Sequence, residues 1–419
     1  MDDVRAAAVV IFGLTYAGIA FNRLPRLSVD RPWSAFTGAV LMVLAGVLTL
    51  DEAWQAVNAP TIVLLLGMMV LNVFLEEAGF FELAAEFVLR RARTPARILI
   101  GLSLLSGVLS ALFLNDTVCL MLTPPLLIIL RRTALPATPF LLTLAMSANV
   151  GSVMTITGNP QNMLVGNYSG WMYGEFLLWM LPVGIAGLVV MTAVIVWFYG
   201  PQMRAVGWIS METATADFPA SRNRPLLVKT LLVLGAVLIG FVATSDLPLA
   251  AACGAAVLLL WSGESPTRIF ARVNWVLLLF FAGLFIVVHG LERTGLVADL
   301  AAWARPMYGD NLATQTPVFC VLTVVASNVV SNVPFVVLVR DVVPTMLEPR
   351  LMWLMLAMAS TFAGNLTIPG SVATLIVLEA AKDSATIRYW EFLRVGLVVT
   401  LLTVAVGAAL LLLEERLFL

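Results

Sequence analysis

Charge is scarce along this chain. Only 12% of its residues are Asp, Glu, Lys or Arg, whereas a soluble domain carries about 25%, and 61% are hydrophobic. With a mean hydropathy of +0.98, the composition is that of a polytopic membrane protein with no soluble domain left over. The net charge of −1 offers nothing to a phosphate backbone, so no nucleic-acid partner is expected. Histidine occurs once, at His289, and cysteine three times, at Cys119, Cys253 and Cys320. The cysteines lie in apolar runs without close spacing, which argues against both a disulfide framework and a zinc knuckle. There is no His-Glu-x-x-His, no pairing of catalytic acids, no nucleophile beside a base and no Walker lysine. The chain is therefore not expected to be an enzyme or to bind an organic or metal cofactor, and ATP could act only through a separate ATPase subunit.

Apolar runs, by contrast, are abundant. Spans are predicted near 6–22, 34–50 and 60–75, then an amphipathic connector over 76–93 with Phe80, Phe81 and Phe87 on its apolar side. The first run lacks a small-residue cleavage site, so it is read as a span and not as a leader. A run of about 33 residues over 98–130 is then interrupted by Asn115-Asp116-Thr117. Its two arms, 98–114 and 118–130, fall short of the ~20 residues that cross a bilayer. Two short arms around a polar tip predict a re-entrant hairpin, because irregular backbone survives at that depth only inside protein or beside a watery cavity.

Further along, 138–165 is broken by Thr155-Ile-Thr157-Gly158-Asn159-Pro160-Gln161-Asn162, and a span follows over 173–198. After a polar linker, 199–225, spans are expected near 226–243, 247–262 and 274–290. A second hairpin, 317–345, has its tip at Ser331-Asn332. A second broken run, 351–380, carries Asn365, Thr367, Pro369, Gly370 and Ser371, and a last span covers about 391–412. The predicted fold is all-α, with about ten transmembrane helices, two hairpins and two broken helices.

The halves 1–198 and 226–419 are related. A shift of 216 residues brings Gly38 onto Gly254, Asn58 onto Asn274, Gly67 onto Gly283 and Glu76 onto Glu292. Slightly different offsets bring Asn115 onto Asn332 and Thr155-Ile156 onto Thr367-Ile368. Repeats whose matching segments are both interrupted by Gly and Pro are the sequence mark of a secondary transporter. If the loop 23–31 is cytoplasmic, 18 of the 24 Lys and Arg residues fall on the cytoplasmic side, in keeping with the positive-inside rule. The partner spans of Gly38 and Gly254 then run in opposite directions. The repeats are expected to be inverted, with hairpin tips meeting near the midplane and the linker in the cytoplasm.

These motifs resemble those of the ion transporter superfamily, which includes divalent-anion/sodium symporters, arsenite efflux pumps and sodium/proton antiporters. Leu114-Asn115-Asp116 with Leu122-Thr123-Pro124, Asn332-Val333-Pro334, and Pro369-Gly370-Ser371-Val372-Ala373-Thr374-Leu375 look most like the arsenite branch. Gly158-Asn159-Pro160-Gln161-Asn162 looks like the break of the wider superfamily. The anion symporters carry Ser-Asn-Thr at both tips, whereas this chain has Asn115-Asp116-Thr117 and Ser331-Asn332-Val333. The resemblance implies an inner-membrane carrier of arsenite or antimonite coupled to protons. A sodium-coupled anion carrier and a sodium/proton antiporter are the alternatives. It also implies a homodimer and an elevator-like movement.

The candidate binding residues are Asn115, Asp116, Thr117, Thr155, Thr157, Gly158, Asn159, Asn162, Ser331, Asn332, Asn365, Thr367, Gly370 and Ser371. Asp116 is expected to carry the coupling proton, since a carboxylate at hydrocarbon depth costs at least ~2.5 kcal/mol and needs a functional reason. Sodium is the other coupling ion considered. No Lys or Arg sits within the four motifs, so little fixed positive charge is expected at the site. Cys119 reads as packing and His289 as an interfacial residue.

Overall fold

The computed structural model describes residues 2–21, 30–89, 94–133, 135–206, 223–244, 246–297, 299, 302, 309 and 311–418. Among them every regular element is helical. The first half contains α1 (Asp2–Phe21), α2 (Arg31–Leu44), α3 (Leu50–Ala56), α4 (Ala59–Glu77), α5 (Phe80–Leu89), α6 (Pro95–Leu112), α7 (Asn115–Thr133), α8 (Ala137–Ser152), α9 (Pro160–Ser169) and α10 (Tyr173–Arg204). The second contains α11 (Arg224–Ala243), α12 (Leu247–Trp261), α13 (Pro266–Ala271), α14 (Trp275–Glu292), α15 (Leu312–Val330), α16 (Asn332–Leu338), α17 (Pro349–Ala363), α18 (Val372–Ala381) and α19 (Tyr389–Phe418). Seven of these helices, α4, α6, α10, α11, α14, α15 and α19, are long and apolar enough to cross a membrane.

Capping chemistry repeats between the halves. Asp30 accepts from the Trp33 amide at the start of α2, and Asp246 accepts from Leu249 at the start of α12. Asn58 and Asn274 cap α4 and α14 in the same way. Each cap satisfies an amide that the helix leaves unbonded, and a proline follows in all but α14. Thr49 and Glu52 form a capping box on α3, where the Thr49 amide and hydroxyl hold the Glu52 carboxyl below its usual range.

Close packing follows from small residues at matching positions. A Cβ on Gly67 would lie 2.8 Å from Ala251 backbone, and one on Gly283 would lie 2.8 Å from Ala35 backbone. The 216-residue shift exchanges these two contacts. They bind α4 to α12 and α14 to α2. A second group forms around the broken runs: α6 packs on α8, α15 on α17, and α7 on both α8 and α18. The long helices α10 and α19 pack against each other along its flank.

Helix boundaries differ from the predicted ones in three places. The arms of the first hairpin are longer than the predicted 98–114 and 118–130: α6 has 18 residues and α7 has 19. Thr94 caps α6 before the apolar run begins, and α7 continues past Arg131 and Arg132 to Thr133. The second hairpin is asymmetric, with 19 residues in α15 and seven in α16. The linker is also shorter than predicted, because α10 runs on to Arg204 and α12's neighbour α11 starts at Arg224. Residues 207–222 of that linker, the loop 22–29 and Arg90, Arg91 and Arg93 lie outside the described residues. The connector is helical over α5, with Phe81 buried, Phe87 exposed, and Phe80 and Phe81 edge-on to Phe113 beside the first tip.

Charged helix ends pair across the halves. Arg272 pairs with Glu76 and Glu77, and Arg268 reaches Glu77 at 2.8 Å. At the far ends of the same helices Arg293 pairs with Glu52 across the halves, while Arg340 pairs with Glu292 within the second half at 2.5 Å. Arg350 meets Glu175 at 3.0 Å on that second face, and its guanidinium lies over Trp171.

Candidate functional site

A cavity of about 260 Å³ opens where the two hairpin tips, the two breaks and the first turns of α2 and α14 meet. Asn115 and Asp116 come from the first tip, Ser331, Asn332 and Val333 from the second, Pro160 and Gln161 from the first break, and Gly370 and Ser371 from the second. Helices α7, α9 and α18 begin at this wall, as does the short α16. Their positive dipole ends therefore converge on one space.

The cavity also contains a cation that was not expected. Arg31, counted in the sequence as a loop charge, sits in the first turn of α2 and is 9% exposed. Its Nη2 donates to the Pro369 carbonyl at 2.7 Å, its Nε is buried without a partner, and its charge acts on Asp116. Asp30 as cap and Pro32 within the first turn orient it inward. The fixed charges of the wall are thus a guanidinium and a carboxylate, with exposed Asp30 at the mouth.

The predicted residues divide into wall and brace. Asn115, Asp116, Ser331, Asn332, Gly370 and Ser371 line the cavity. Behind them, Asn159 caps α9 by accepting from the Asn162 amide and donates to Ser152 Oγ at 2.8 Å. Asn162 donates to the carbonyls of Thr155 at 2.9 Å, Ser152 at 3.2 Å and Val153 at 3.4 Å, which the end of α8 would leave open. Thr155 donates to the Ala111 carbonyl, and Thr157 shares a hydrogen bond with Tyr173 at 3.4 Å. Gly158 accepts from the Asn115 amide at 3.0 Å, and a Cβ there would stand 2.3 Å from the Ser152 carbonyl oxygen. Thr367 donates to Asn328, which in turn donates to the Ala363 carbonyl at 2.9 Å. Thr117 turns toward Asn72, whose amide reaches it at 3.4 Å.

Two braces were missed. Asn149 in α8 accepts from Asn115 Nδ2 at 3.0 Å and Ser371 Oγ at 2.9 Å, and donates to Asn365 Oδ1 at 2.9 Å. Thr361 in α17, its equivalent by the 212-residue shift that aligns the breaks, accepts from Asn159 and Gln161. Each half thus ties the other half's break through one polar residue in a buried helix. Cys119 is wholly buried with its thiol toward the Leu144 carbonyl, and His289 stands 3.4 Å from Glu292.

Open acceptors remain at the wall. Asn115 Oδ1 and Asn332 Oδ1, equivalent atoms of the two tips, are buried with no hydrogen-bond partner. A buried acceptor left unpaired costs about 1–3 kcal/mol, so both suit a ligand that donates hydrogen bonds or a cation. Ser331 holds φ 75° and ψ 153°, a region that costs a non-glycine residue about 1–3 kcal/mol. Strain of this kind falls at a tip that also forms the cavity wall, which makes the second tip a candidate site.

An all-helical chain with multiple apolar spans around a polar cavity is a multi-pass membrane transporter. A family model described as Citrate transporter matches residues 16–363, and the chain belongs to that family, within the ion transporter superfamily. An "Uncharacterized transporter" of Mycobacterium tuberculosis is 33% identical, with 97% of each chain covered. The silicon efflux transporter LSI3 of Oryza sativa subsp. japonica is 29% identical over 96% of each chain. A putative transporter arsB of Dictyostelium discoideum is 25% identical over 96% of this chain and 90% of its own. The YdaH transporter of Alcanivorax borkumensis, solved by crystallography, matches with a TM-score of 0.59 at 15% identity, covering 99% and 98% of the chains, and shares the fold.

Proposed function

We propose that this chain is a secondary carrier of the inner membrane that exports a small uncharged hydroxide, arsenous or antimonous acid, in exchange for protons. The observation that carries this reading is the set of acceptors at the cavity wall: the Asp116 carboxylate with unpartnered Asn115 Oδ1 and Asn332 Oδ1. A trihydroxide supplies three donors to match them. The two buried charges of the wall, Arg31 and Asp116, offset each other, which favours a neutral cargo. The silicon efflux and arsB-like names of two relatives agree with the same class of substrate.

In this reading residues 1–198 and 226–419 are inverted repeats, the hairpins 98–130 and 317–345 are re-entrant, and the linker 199–225 is cytoplasmic. The exchanged contacts Gly67 with Ala251 and Gly283 with Ala35 support that arrangement. Substrate hydroxyls and the proton compete for Asp116, so binding of one releases the other. A homodimer with an elevator-like movement completes the proposal.

A sodium-coupled anion carrier is the second reading, favoured by Arg31 and by the helix N-termini that face the cavity. Proteoliposome flux decides between them. With arsenite, silicate, succinate and citrate compared under separately imposed proton and sodium gradients, arsenite should accumulate only under the proton gradient. Asp116→Asn should abolish that accumulation while leaving arsenite exchange, because it fixes the tip neutral and nearly isosteric. Sodium-driven citrate or succinate uptake would replace the first reading with the second. Proton-driven accumulation retained in Asp116→Asn would remove Asp116 as proton carrier.

A further inference from the structure

A second cavity, of about 240 Å³, lies at the outer ends of α4 and α9 and the start of α12. It is the repeat counterpart of the first. Pro32, Leu277 and Phe280 line the substrate cavity, and their equivalents Pro248, Thr61 and Leu64 line the second. Four contributing helices begin with the same pairs of caps, Asp30 with Asp246 and Asn58 with Asn274. Neither tip reaches the second cavity, so on that side the route ends blind, whereas the first cavity meets both tips.

One equivalent pair breaks the pattern. Arg31 lines the substrate cavity, and the residue at its repeat position in the second is Leu247. A carrier built from inverted repeats exchanges the environments of its two access routes as it turns. In the state seen here Asp116 faces a guanidinium on α2. In the opposite state it faces the matching turn of α12, which offers a leucine.

We infer that the Arg31/Leu247 pair makes proton coupling vectorial: a cation fixed on one access route releases the Asp116 proton there, and its aliphatic counterpart lets the carboxylate capture a proton on the other. This rests on the proposed role of Asp116. On the outer route a carboxylate without a counter-charge takes a proton from water and lets the neutral hydroxide leave. On the inner route the proton passes to water, Arg31 balances the carboxylate, and substrate hydroxyls then bind it. Only O–H bonds are exchanged, with no redox partner. The other titratable groups on elements packed around α7 are Glu82 and Glu86 on α5, Arg97 on α6, Glu379 on α18, and Cys119, Arg131 and Arg132 on α7 itself, with Asp30 at the cavity mouth. Arg31 is the charge that acts on Asp116. Asp246 is the acid nearest Leu247 in sequence, and it caps α12.

The test uses oriented proteoliposomes of the full chain, with arsenite flux measured while inner and outer pH are varied separately. Leu247→Arg should move the outer pH for half-maximal driven flux down by about one unit or more, a tenfold loss of proton capture, and leave the inner dependence in place. Leu247→Glu should move it up, and Leu247→Met should match wild type. Arg31→Met should shift the inner dependence alone, upward, which keeps the idea testable if the arginine variant fails to insert. Wild-type half-points in all the charged variants would overturn the inference while leaving proton coupling by Asp116 intact. A wild type indifferent to pH on both sides would overturn that coupling, and the inference with it.

Discussion

Asn162 and Asn332 have the same side chain and opposite tasks. Asn162 spends its amide on carbonyls at the end of α8, whereas Asn332 leaves its carbonyl oxygen open beside the cavity. Asn162→Leu should therefore cost stability, about 1–3 kcal/mol for each buried carbonyl stranded, and thermal unfolding in detergent should show it. Asn332→Leu removes an atom that is unpaired in the protein, so its unfolding temperature should stay near wild type while arsenite binding falls at least tenfold. Unchanged binding in Asn332→Leu would move the site away from the second tip. The polar motifs themselves were legible in sequence, but which side of a break each residue faces was not, because the helical period stops at the break. Asn149 was hidden as a lone amide in an apolar run, and Arg31 was hidden beside a loop that claimed it as a surface charge.

The elements owe their arrangement to places where backbone meets backbone. In α8, a Cβ on Gly151 would stand 2.1 Å from the Gly107 carbonyl oxygen of α6. No rotamer change relieves a clash with backbone, so Gly151→Ala must push α6 and α8 apart. The cost expected for such overpacking is about 1–3 kcal/mol or more, read as a lower unfolding temperature and lower yield of monodisperse protein. Gly235→Ala meets open space and is the control that should be silent. Helix positions were readable from apolar runs, within a few residues. Helix ends were not, since α7 and α10 carry arginines into their last turns and α6 takes its cap from Thr94 outside the run. The apolar-run rule sees where hydrocarbon contact stops, whereas a helix stops where its backbone loses hydrogen bonds.

At the scale of the whole molecule, the two cavities fix a direction. The first cavity is bounded by the first turns of α2 and α14, on the face where Arg272 pairs with Glu76 and Glu77, and the second cavity lies at the opposite ends of the bundle. The cavity that meets the tips should open to the cytoplasm, where an exporter collects cargo. Cysteine labelling in oriented vesicles tests this placement without any assay of flux. The background needs Cys253 replaced, since it is exposed, while Cys119 and Cys320 are buried. In that background Asn274→Cys should react with an impermeant thiol reagent only from the cytoplasmic side, and Asn167→Cys only from outside. Arsenite in excess should slow the reaction of Ser331→Cys, which lies on the cavity wall, and leave Asn167→Cys unaffected. Reaction of Asn274→Cys and Asn167→Cys from one side would place both cavities on the same face, and the inverted relation of the halves would fall with it.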